Sequence, residues 1–147
     1  MSNNEDLKSQ FVPYEQSCKL KSLGFNERCF AIYLNENSNN EGHIFQVETT
    51  IHNYTDVEAE YPDQDPQFYN YNNSKIYKQY TTAPLWQQAF DFFRKNQIDG
   101  WIEIGSEYIQ IPFCVDKNGG KVCVSSGVTH EEARIALLDY MIYLLEK

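Results

Sequence analysis

Residues 101–124 read WIEIGSEYIQIPFCVDKNGGKVCV, and their reading decides the fold. In WIEI, residues 101–104, Ile102 and Ile104 share one parity; in YIQIPFCV, residues 108–115, Ile109, Ile111, Phe113 and Val115 share one. Alternation of this kind is the signature of strands with one buried face. Asn118-Gly119 takes the positive φ angles of a two-residue hairpin turn readily, so KVCV, residues 121–124, is the return strand. Counting outward from that turn sets Lys117 against Gly120 and Cys114 against Cys123, both thiols on the face opposite Val115, Val122 and Val124. Facing Cβ atoms lie ~4.5–5.5 Å apart, a little long for a disulfide. Cys114 and Cys123 are therefore a candidate cross-strand thiol pair, either two reduced thiols under a second layer or a redox-responsive pair. Pro112 would fall in the central strand and remove a ladder donor, which predicts a bulge or an edge placement.

Helices flank these strands. Thr82 can cap a helix with Pro84 in its first turn, and Leu85, Trp86, Ala89, Phe90 and Phe93 then form one face, ending near Asn96. On the other side Thr129 and Glu132 form a T-x-x-E capping box. The helix that follows, rich in Ile, Leu, Met and Tyr through Leu145, is too apolar for one wet face. It is either covered on two sides or used for self-association, so a homodimer through the last helix is expected. Residues 82–147 thus form an α-β-β-β-α unit, the order also found in double-stranded-RNA-binding domains. Those hold phosphates with basic residues where this chain has Thr129-His130-Glu131-Glu132, so the topology is kept and RNA binding is rejected.

Towards the N-terminus, residues 1–10 are polar and read as a disordered lead-in, without the basic start or apolar run of a signal peptide. Pro13 suits a helix start, YEQSCKLKSL is helix-compatible, and Gly24 sits where a left-handed cap is needed, with Phe25 packing back. CFAIYL, residues 29–34, and HIFQVETTI, residues 43–51, are strand candidates. Residues 35–80 otherwise form an acidic, Tyr- and Asn-rich insertion. Between Cys29 and Ser74 there is no Lys or Arg.

The fold class expected is α+β. Residues 11–147 form a single domain, with a mostly antiparallel sheet of four or five strands and two or three helices. A net charge of −9 argues against ordinary nucleic-acid binding and is compatible with a basic protein partner or simply with solubility. No run approaches the roughly 18 apolar residues of a membrane span. With no export signal, the cytoplasm is the expected compartment and the four cysteines are thiols.

No catalytic motif, metal-ligand spacing or nucleotide loop is present, and no cofactor is expected. His43, His52 and His130 stand apart, and no C-x-x-C occurs. The candidate interaction surface is instead acidic and aromatic: Asp56, Glu58, Glu60, Asp63 and Asp65, with Phe68, Tyr69, Tyr71, Tyr77 and Tyr80. Tyrosine offers large contact area at low entropy cost. Three functions follow: a binding protein using this surface, a small-molecule-sequestering protein with an aromatic-lined pocket, or an enzyme whose residues are scattered in sequence.

Three blocks, FVPYEQSCKLKSLGFNERCFAIY, APLWQQAFDFFRKN and THEEARIALLDYMIYLLEK, together resemble small proteins found in phages and prophages of Bacteroidetes. The blocks cover about half the chain in the family's order, the central one being the most specific. The chain departs from the family in its longer acidic middle and in His130, where the family usually has Tyr. The resemblance implies a phage or mobile-element origin and action in the host cytoplasm, and carries no chemistry.

Overall fold

The computed structural model describes residues 3–35, 43–47, 73–74, 80–125 and 129–147. The protein is α+β, with antiparallel strands throughout the described residues. The chain divides into two compact units, Met1–Leu85 and Trp86–Lys147.

In the first unit, α1 (Asn3–Lys8) occupies the stretch expected to be a disordered lead-in, a correction. It closes locally, with Ser9 Oγ donating to the Asp6 carbonyl at 2.7 Å and Gln10 N to the Leu7 carbonyl at 3.1 Å. Helix α2 (Tyr14–Ser22) starts after Pro13 and ends as its composition predicts. Gly24 takes φ +93°, Phe25 N donates to the Leu20 carbonyl and Gly24 N to the Lys21 carbonyl. This paired closure satisfies the last free carbonyls, with Phe25 and Leu20 both buried.

Strands β1 (Ala31–Asn35), β2 (His43–Val47) and β3 (Thr81–Ala83) form a sheet in the order β2-β1-β3. Strand β3 corrects the expected helix start. Thr81, Thr82 and Ala83 are buried and pair with Tyr33, Ile32 and Ala31. Pro84 biases Ala83 towards extended backbone, and its carbonyl accepts from Val12 N at 2.8 Å. Thr82 therefore belongs to the sheet and caps nothing. Phe11, Ala31, Tyr33 and Ala83 make the core here, and the Tyr33 hydroxyl donates to the Val12 carbonyl at 2.7 Å.

The second unit is α3 (Trp86–Lys95), β4 (Asp99–Ile104), β5 (Gln110–Val115), β6 (Lys121–Cys123) and α4 (His130–Glu146), the α-β-β-β-α order expected. Trp86, Ala89 and Phe93 are the buried face of α3. The helix ends with Gln97 at φ 65° and Ile98 N donating to the Phe93 carbonyl at 2.9 Å. Helix α4 starts on the predicted capping box: Thr129 Oγ1 accepts from Glu132 N at 3.2 Å, and the Glu132 carboxylate accepts from Thr129 N at 3.3 Å. Ala133, Leu137, Leu138, Met141 and Ile142 are its buried side, while Tyr143 stays 51% exposed.

The sheet order is β4-β5-β6, so Pro112 does lie in the central strand. Neither a bulge nor an edge placement follows, because β4 and β5 pair one-to-one from Asp99↔Val115 to Ile104↔Gln110. The Pro112 carbonyl accepts from Val124 N at 2.9 Å, so the missing Pro112 donor also points towards β6. The loss falls past the last paired residue of β6 and spares the ladder to β4.

Candidate functional site

The thiol pair is the first correction. Cys114 pairs with Val122, and Cys123 pairs with Phe113. Adjacent residues of a strand point to opposite faces, so Cys114 and Cys123 lie on opposite faces of the sheet. Cys114 is buried and Cys123 is exposed. The cause is the Asp116 side chain. Its Oδ1 accepts from Asn118 N at 2.8 Å and Gly120 N at 2.9 Å, while Asp116 N donates to the Gly120 carbonyl at 3.1 Å. The loop is then Lys117-Asn118-Gly119, with Gly119 alone at positive φ, +82°. That is a three-residue hairpin loop in place of the two-residue turn, and it shifts the register by one.

Asp56, Glu58, Glu60, Asp63, Asp65, Phe68, Tyr69, Tyr71 and Tyr77 lie outside the described residues, as does His52. Tyr80 is half-buried, and its carbonyl accepts from Lys21 Nζ at 2.6 Å. Nearby, Asn73 Nδ2 donates to the Phe25 carbonyl at 2.9 Å, and Asn73 Oδ1 accepts from Thr82 N at 3.0 Å. Among the described residues, no three His, Cys, Asp or Glu side chains are grouped to hold a metal ion. Nor is any helix among them long and apolar enough to cross a membrane.

The sheet of the second unit has two unlike faces. One packs on α4: Cys114 and Gly100 are buried there, and Gly100 lies against Leu137. The other carries Trp101 and Phe113, half-buried and stacked at 5.8 Å between ring centroids. Lys121 Nζ sits over both rings, 5.4 Å from the Trp101 centroid and 4.6 Å from the Phe113 centroid. The lysine and the two rings thus satisfy each other.

The unexpected feature is the connection between β4 and β5. Gly105 N donates to the Ile109 carbonyl at 2.7 Å and closes a tight loop around the 3₁₀ turn Ser106–Tyr108. Glu107 and Tyr108 take φ 58° and 62°, the left-handed region. Each costs roughly 1–2 kcal/mol for a residue with a Cβ. The backbone here holds the Tyr108 ring in solvent, 86% exposed, with Ile104 67% exposed at the end of β4. Gln110 Nε2 donates to the Tyr108 carbonyl at 3.3 Å, and Gln110 Oε1 lies 3.2 Å from His130 Nδ1. The tip is thereby tied to the start of α4, where Glu131 is exposed.

Strand alternation puts Ile104 on one face with Ile102 and Tyr108 at the head of the next strand. No local signal in the sequence marks the tip, where Glu107 and Tyr108 take positive φ. Gly105, the residue suited to a positive φ, stands at φ −85°.

No protein family, curated protein or solved structure matches the chain.

Proposed function

We propose that this protein is a non-enzymatic accessory protein that acts by binding a basic protein partner. One observation carries the reading: Glu107 and Glu131 face solvent and, among the described residues, form no ion pair. They belong to a chain of net charge −9, in which Glu36, Glu41, Glu48, Asp56, Glu58, Glu60, Asp63 and Asp65 follow one another without a Lys or Arg between them. Acidity so distributed steers a basic partner and repels nucleic acid. The resemblance of three blocks to phage and prophage proteins of Bacteroidetes supports a phage-type origin and a partner in the bacterial cytoplasm.

The test is affinity capture from a Bacteroidetes lysate at low and at physiological salt, with the captured proteins quantified. Enrichment of basic proteins that falls with salt, and falls again when Asp56, Glu58, Glu60, Asp63 and Asp65 are changed to Asn or Gln, is the expected result. A captured set with ordinary charge and no salt dependence would sink the reading.

The exposed Tyr143 on α4 favours self-association as a second, compatible proposal. Light scattering at high concentration decides it, and a clean monomer ends it.

A further inference from the structure

We infer that the β4–β5 tip is the anchor by which this protein holds its basic partner, with Tyr108 and Ile104 entering an apolar pocket rimmed by Lys or Arg. The inference rests on the binding reading above and names its contact. Tyr108 and Ile104 are the two most exposed large apolar residues among those described, and they stand at one end of one sheet. Tyrosine is among the residues enriched in interface hot spots, and an aromatic with an aliphatic anchor seated in a pocket is the usual centre of a binding interface.

Charge specifies the rest of the partner. No Lys or Arg occurs between Lys95 and Lys117, while Asp99, Glu103 and Glu107 do. Glu131 and Glu132 open the helix that His130 ties to Gln110 and so to the tip. Asp99 is paired with Arg94 at 3.0 Å, Glu103 accepts from the Trp101 indole N–H at 3.0 Å and Glu132 serves its cap, which leaves Glu107 and Glu131 to face a cation. An apolar projection flanked by acids fits a pocket flanked by bases. The tip is also held before any partner arrives, by the Gly105–Ile109 and Gln110–Tyr108 hydrogen bonds, so little ordering remains to oppose binding.

A random 15-residue peptide library panned against the full chain tests this. The enriched peptides should join an aromatic or aliphatic residue to Lys or Arg. They should bind Tyr108→Ser at least about ten-fold more weakly, bind Glu107→Gln more weakly at low salt only, and keep their affinity for Tyr108→Phe. Thermal unfolding of each variant confirms the fold, and Ile104→Ser serves as an independent second variant. Basic peptides that bind Tyr108→Ser and Ile104→Ser as tightly as the parent overturn the inference and leave the binding reading standing. Enrichment of peptides without basic residues, or of none, counts against both.

Discussion

Gly100 and Leu137 meet so closely that a larger residue would force the leucine side chain to shift: a Cβ on Gly100 would come within 2.7 Å of Leu137 Cδ1 and 3.2 Å of its Cγ. Gly100 pairs with Cys114 in the sheet, and Leu137 is fully buried on α4, so this contact sets how closely the helix approaches the strands. Gly100→Ala should cost about 1–3 kcal/mol by overpacking. In a Leu137→Ala background, which itself loses about 2–5 kcal/mol, the added methyl should instead fill space and be neutral or stabilising. Urea denaturation of the four proteins measures this. Additive losses would show that helix and sheet part easily at this point.

Two left-handed residues test whether backbone strain is structural or functional. Gln97 ends α3 at φ 65°, and Glu107 sits in the tip at φ 58°. Glycine removes the Cβ penalty but adds freedom to the unfolded chain, so each substitution should stabilise by a net ~0.5–1 kcal/mol. Gln97→Gly should leave capture of basic peptides unchanged. Glu107→Gly should weaken it, because the tip loses both its charge and its fixed direction. Equal binding by both variants would place the strain at Glu107 outside function.

These residues also show what could be read from sequence. The α-β-β-β-α order was legible because several local signals agree there: the Trp86/Ala89/Phe93 spacing, the alternation through Ile111 and Phe113, and the Thr129/Glu132 box. Gly24 likewise announced the end of α2. The failures come from interactions that local pattern does not carry. The register of β5 on β6 turned on one carboxylate, Asp116, choosing a longer loop. Thr82 and Pro84 look like a helix start, yet the pairing with β1 and the bond from Val12 make that stretch a strand. Tyr108 has nothing beside it to forecast a left-handed backbone. The acidic residues singled out between Asp56 and Asp65 remain a reading of composition.

The register also predicts how the thiols behave. Cys123 is exposed and should react first with a thiol reagent at neutral pH, ahead of the half-buried Cys18. Cys29 and Cys114 are buried and should react only as the protein unfolds. Mild oxidation of the folded monomer should leave Cys114 and Cys123 unlinked, since they point to opposite faces. Mass spectrometry after alkylation resolves all four sites. A Cys114–Cys123 disulfide formed without unfolding would contradict the Phe113↔Cys123 pairing.

Alkaline stability should carry the mark of the two buried thiols. Burial pushes Cys29 from the ordinary 9.0 up to about 12 and Cys114 up to about 11. Below pH 9 both are protonated in folded and unfolded chains alike, so their contribution to stability is fully present. Above it the unfolded chain releases these protons while the folded one retains them, and stability falls as pH rises. The loss from Cys114 runs from pH 9 to about 11 and that from Cys29 from pH 9 to about 12, each with a limiting slope of roughly 1.4 kcal/mol per pH unit. Denaturation midpoints followed from pH 8 to 11 measure the slope. Cys114→Ala should flatten it relative to the parent whatever the substitution costs at pH 8. An unchanged slope would mean that the Cys114 thiol is hydrated in the folded protein and that the sheet is not sealed beneath α4.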